Sequence, residues 1–189
     1  FRVIALLVSI FALAGCGTTS NSGQEKQVNA SAKVHTELAG LYYERAQLGI
    51  ALAEIEQALQ ADRNHAPAYG VRGLIHMALR EDKEAEKDFR HSLSLDKNDS
   101  DMHNNYGWFL CQRGREKESI AQFLAAVKNP LYTTPGLAYL NAGVCSQKGG
   151  NNKDAEEHGH EFKRKNIIAD FVVSKIPGPK EPNEQTESH

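Results

Sequence analysis

Residues 66–127, APAYGVRGLIHMALREDKEAEKDFRHSLSLDKNDSDMHNNYGWFLCQRGREKESIAQFLAAV, contain one pattern written twice. Gly73 returns as Gly107, Phe89 as Phe123 and Ser92 as Ala126, each 34 residues later. The register extends backwards: Ala58, Leu59, Asp62 and Asn64 match Ser92, Leu93, Asp96 and Asn98 at the same interval. A fixed period of this length marks a helical solenoid, in which each unit buries its apolar face only against its neighbours.

Within each unit the apolar residues recur at helical spacing. Leu38, Ala39, Tyr42 and Ala46 precede a second run of Ala51, Leu52, Ile55, Ala58 and Leu59. Asp62-Arg63-Asn64 closes the unit as a turn, and Pro67 falls where the next helix starts and a missing N–H costs little. Residues 66–99 and 100–133 repeat the plan. Small residues at Ala39, Gly73 and Gly107, and at Ala51, Ala85 and Ser119, fall where paired helices cross. Ile55, Phe89 and Phe123 are expected to fill the gap to the next pair. The expected fold is all-α, a superhelix of stacked helix pairs with three complete copies and a partial fourth.

The fourth copy follows a connection two residues longer than the others, so Gly143 stands 36 residues after Gly107. The pattern stops at His158: Gly159 falls where Phe is expected, and HGHEFKRKN is polar. Pro177 to His189 is rich in Pro, Glu and Ser and is expected to be disordered. Either the tail around Phe162, Ile167, Ile168 and Phe171 folds back as a cap, or the chain departs here from a longer repeat protein; the second is favoured.

The pattern of a small residue early in helix A, Ala in helix B, then an aromatic and another small residue resembles the tetratricopeptide repeat. His35, Tyr69 and His103 replace its Trp, and Arg72 stands in place of its Leu. Such arrays bind partners on the concave surface of the A helices. In register, that surface is expected to include Thr36, Tyr43, Gly70, Leu74, Met77, Asn104 and Trp108, which suits an extended or helical peptide. Trp108 is read equally as a groove anchor or as core packing against the next repeat.

Ahead of the repeats, FRVIALLVSIFALA is one basic residue and an apolar run, shorter than the ~20 residues a bilayer span needs but right for a secretory signal. It leads into Leu13-Ala14-Gly15-Cys16, which resembles a bacterial lipobox with Cys16 as the acylated residue. Several acyl chains give stable attachment where one does not. Gly17 in place of Asp implies, by resemblance to lipoprotein sorting signals, the outer membrane. The polar stretch 18–31 reads as a tether. The expected division is a signal peptide 1–15, anchor and tether 16–31, repeats 32–157 and a divergent tail 158–189.

Cys111 and Cys145 lie on successive A helices, which stack side by side, and an exported chain meets oxidising conditions. A disulfide is favoured over two buried thiols. No CxxC pair, HExxH, GxSxG or phosphate-binding Gly-rich loop occurs, and the histidines are scattered, so neither metal, cofactor nor catalysis is expected. A net charge of −2 gives no basis for nucleic-acid binding.

Together with the lipobox and tether, the stretches Asn105-Tyr106-Gly107-Trp108-Phe109-Leu110-Cys111 and Ala138-Tyr139-Leu140-Asn141-Ala142-Gly143-Val144-Cys145 resemble the PilW/PilF family of type IV pilus biogenesis lipoproteins. That resemblance implies an outer-membrane lipoprotein facing the periplasm. It implies a pilotin that binds the secretin, a PilQ-like subunit, and promotes its targeting or multimerisation, with no small-molecule substrate. A periplasmic scaffold for cell-wall or outer-membrane assembly factors shares the same generic features.

Overall fold

The computed structural model describes the backbone of residues 21–175 and the side chains of residues 30–165. Cys16, the signal run and residues 176–189 lie outside the described residues. The described chain forms α1 (Asn21–Glu44), α2 (Leu48–Ala61), α3 (Ala66–Ala78), α4 (Asp82–Leu95), α5 (Ser100–Gln112), α6 (Glu116–Ala126), α7 (Pro135–Lys148) and α8 (Asn152–Lys175). Consecutive helices pair as α1/α2, α3/α4, α5/α6 and α7/α8. The all-α superhelix expected from the 34-residue period is therefore the fold observed.

Local chemistry repeats with the period. Pro67 and Pro135 sit in the first turns of α3 and α7, and Asp99 caps α5 by accepting from the Met102 N–H at 2.9 Å. After α2 and α4, the Asp62 and Asp96 carboxylates accept from Asn64 N–H at 2.8 Å and Asn98 N–H at 3.0 Å, which makes the same turn twice. Within pairs, a Cβ on Gly73 would come 2.9 Å from the Phe89 ring, and one on Gly107 would come 2.7 Å from that of Phe123. The glycines are there because an aromatic ring from helix B lies against helix A.

Between pairs the core is three clusters, each straddling a junction. Ile55 and Ala58 meet Ala68 and Ile75. Phe89 meets Met102, Tyr106 and Phe109, and Phe123 meets Ala138, Ala142 and Cys145. Helices α1, α3, α5 and α7 touch one another in sequence, whereas among the described residues the second helices of the pairs do not. First helices that crowd together while second helices splay apart define a curved stack, with α1, α3, α5 and α7 along its inner wall.

Two helices run past the limits of the repeat pattern. Helix α1 already begins at Asn21, inside the stretch read as a tether, and α8 runs through His158 to Lys175. In both places the repeat pattern is missing but good helix formers remain (Gln24, Glu25, Lys26 and Gln27; Glu161, Lys163, Arg164 and Lys165), and helix propensity outlasts repeat packing.

Candidate functional site: the inner wall of the helix stack

The seven residues assigned to the inner wall divide into two sets. Tyr43, Leu74, Met77 and Trp108 are half-buried, each with part of its surface against a core cluster. Trp108 lies against the cluster of Cys111, Phe123 and Cys145 and keeps its remaining surface open. Thr36, Gly70 and Asn104 are buried and do not line an open surface, which corrects the reading from sequence. The Thr36 hydroxyl donates to the Ala32 carbonyl at 2.8 Å, and a Cβ on Gly70 would fall 1.9 Å from the end of Met102. The Asn104 side-chain oxygen accepts from Asn141 Nδ2 at 3.0 Å. Adjacent first helices are close enough that these positions become seats for the next helix.

Sequence reasoning stopped short of the fourth copy. With the interval of 36 carried through, Leu140 corresponds to Asn104 and Val144 to Trp108. Leu140 and Val144 are each 41% exposed, and Leu137 at the start of α7 is 46% exposed. Leu140, Val144 and Gln147 of α7 face Asn152, Glu156 and Gly159 of α8 across a concavity of about 470 Å³.

Cys111 and Cys145 are joined by a disulfide with Cα atoms 5.7 Å apart, tying α5 to α7 beside Trp108. Both are buried, so the bond is part of the wall's foundation and not of its surface.

Charged groups form two structural networks. Arg72, in the place of a consensus Leu, makes a bidentate pair with buried Asp88, both contacts at 2.7 Å. Those hydrogen bonds hold the Arg72 guanidinium further toward its charged form than usual, against the opposing effect of burial. His76 Nδ1 lies 2.6 Å from Glu81 and its Nε2 lies 3.7 Å from Asp88. In the second network Arg115 bridges Glu86 at 2.8 Å and Glu118 at 2.7 Å, and Tyr106 donates to Glu86 at 3.0 Å. The Arg115 contact, more than any other, lowers the Glu86 carboxyl to about 2. Arg72 was visible in the sequence as a departure from consensus; Asp88 was not, because its spacing matches an ordinary solvated acid. Among the described residues no group of three or more His, Cys, Asp or Glu side chains is arranged to hold a metal ion, and no helix is long and apolar enough to cross a membrane.

A stack of paired helices with this period, these crossing residues and a wall of first helices is a tetratricopeptide-repeat array. The tetratricopeptide repeat profile matches residues 66–99, the second copy. Among solved structures, the chain is similar to PilW, described as a widely conserved type IV pilus biogenesis factor. That match has 37% identity and a TM-score of 0.67 over 71% of this chain and 62% of PilW. The structure of Pseudomonas aeruginosa PilF matches with a TM-score of 0.72 at 23% identity, over 79% of this chain and 71% of that one, a likeness of fold. In sequence, the type IV pilus assembly protein PilF of Pseudomonas aeruginosa is 26% identical over 161 residues, 82% of this chain and 64% of PilF. The resemblance to the PilW/PilF proteins drawn from the sequence is borne out. The chain spans somewhat less than two thirds of PilF by sequence, at 64%, and of PilW, at 62%.

Proposed function

We propose that this protein acts in type IV pilus biogenesis as a lipid-anchored pilotin. Its inner wall binds a segment of the secretin, and its anchor holds that segment at the periplasmic face of the outer membrane. The observation that carries this reading is the likeness to PilW, 37% identity on a shared helix stack. The half-buried row of Tyr43, Leu74, Met77 and Trp108 supports it, since apolar side chains with one packed and one open side give a rigid surface for a peptide. The charged networks are occupied in pairing helices to each other, which supports binding over catalysis as the mode of action.

The mechanism is tethered capture. Acylation of Cys16 confines the wall to the membrane surface, and a captured secretin segment meets that membrane at high effective concentration without any added contact. Replacing Cys16 by Ala in cells is expected to deplete secretin multimers and pili, while the purified variant still binds the secretin segment. Normal multimer levels in the Cys16→Ala strain would refute tethering.

A further inference from the structure

The inner wall carries one charge that the fold leaves unanswered. Helices α3 and α5 both lie inside the stack, each with another first helix on either side, so their open faces do not depend on what adjoins the array. On α3 the open face is Pro67, Val71, Leu74 and Ala78, spaced four, three and four residues apart, and none of these is polar. On α5 the same positions, 34 residues later, are Asp101, Asn105, Trp108 and Gln112.

The other titratable side chains of these two helices are turned toward the second helices. Tyr69 lies edge-on to His91 and Arg72 pairs with Asp88, both on α4. His76 reaches Glu81 and Asp88, Tyr106 donates to Glu86, and His103 lies 2.7 Å from Gln122 of α6. Asp99, next to α5, accepts from the Met102 N–H as its cap. Asp101 has no such partner among the described residues. Its side chain reaches solvent inside the curve of the stack, where the surrounding wall desolvates it. That and the Asp99 charge push its carboxyl up, and no cation among the described residues opposes them. A carboxylate in this position gains from a cation supplied by a bound molecule.

Its place relative to the apolar side chains sets a geometry. Leu74 and Trp108 are counterparts on adjacent first helices and form one apolar strip across the wall. Asp101 stands seven residues before Trp108 on the same face of α5, about 10 Å away along the axis. A helical segment lying along α5 has its own residues i and i+7 on one face at that same separation. Same-face residues of an extended strand fall instead at about 7 and 13 Å.

We propose that the segment held on the inner wall is helical and carries a lysine or arginine seven residues from an apolar anchor, the anchor covering Leu74 and Trp108 and the cation pairing with Asp101. This rests on the reading of the wall as a peptide site and adds what that peptide contains. Asp101 then selects among apolar helices, since one with an acidic residue at that place meets a like charge.

The test uses the full chain in detergent micelles and the purified secretin subunit in the same detergent. Asp101→Asn should weaken binding about three- to tenfold and flatten its dependence on salt, with the urea midpoint of the free protein unchanged. A photo-crosslinking amino acid at position 74 or 108 should mark a secretin residue seven positions from a Lys or Arg. Changing that basic residue to Glu should restore binding to the Asp101→Lys variant. If positions 74 and 108 crosslink to the secretin while Asp101→Asn leaves affinity and salt dependence as they were, the cation is refuted and the wall reading stands. If neither position crosslinks and Asp101→Asn has no effect, the wall is not the site and both readings fall. A marked segment with no basic residue seven positions from the crosslink overturns the helical geometry.

Discussion

Replacing Ala46 by glycine should make this protein more stable. Each turn from first to second helix places one residue in the left-handed region: Ala46 at φ 56°, Arg80 at 65°, Gly114 at 71° and Gly150 at 78°. The turns share one hydrogen-bond closure, from Gln47 N–H to Tyr42 O and from Glu81 N–H to His76 O, both 2.9 Å, and from Arg115 N–H to Leu110 O at 3.0 Å. Two turns have the residue that adopts this conformation freely; two do not. An L-residue in that region costs about 1–2 kcal/mol, and glycine's extra freedom in the unfolded chain returns about 0.5–1 kcal/mol of that. Ala46 is exposed and carries only a methyl group, so Ala46→Gly should stabilise by about 0.5–1 kcal/mol. Gly114→Ala should lose a similar amount, because a Cβ there meets only Glu116 at 3.9 Å and the penalty is purely conformational. The assay is urea unfolding with the disulfide intact, reading the midpoint at constant slope, with a melting shift of roughly 2–4 °C per kcal/mol. Ala53→Gly, on an exposed site within α2, is the control and should destabilise by about 1 kcal/mol. If Ala46→Gly falls with Ala53→Gly, the left-handed turn is not costing what this reasoning assigns to it.

Two further outcomes follow from buried groups. Asp88→Asn leaves Arg72 facing a neutral partner and should destabilise by about 3 kcal/mol, while Arg72→Leu with Asp88→Leu should fall within about 1 kcal/mol of the parent in the same urea assay. Cys111→Ser with Cys145→Ser should lower stability by up to about 3.7 kcal/mol on the chain-entropy account, measured against the oxidised protein.

The fold was legible because its period is. One interval of 34 residues located the small residues at the helix crossings and the rings that fill them, and Gly73 with Phe89 and Gly107 with Phe123 meet as that register requires. The inner wall was less legible, since register says which side of a helix a residue occupies and not how closely the next helix covers it. Gly70 and Asn104 were assigned to the right helices and are covered, one by Met102 and the other by Asn141. Leu140 and Val144 are hidden from a 34-residue register because the interval shifts to 36 at the fourth copy. Loss of the repeat pattern at His158 is not loss of helix. These depend on different physics: the pattern reports packing against a neighbour, whereas α8 continues on local propensity.

The three junctions are fastened by different chemistry, and the difference tracks the register. The first rests on apolar contact of Ile55 and Ala58 with Ala68 and Ile75. The second adds the ion pairs of Arg113 and Arg115 with Asp82 and Glu86. The third lies where the interval lengthens by two residues, and there an ionic grip of the same kind is replaced: Gly149 stands where Arg113 would, while Asn104–Asn141 and the disulfide link α5 to α7. A longer connection leaves more ways for α7 to slide along α5, and a covalent bond removes them regardless of salt. Stability in a solenoid is approximately a sum of neighbour terms, so each fastening acts locally. Reduction should therefore loosen α7 and α8 first, and with them the side of the wall on which Trp108 rests, while high salt should weaken the second junction and leave the third intact.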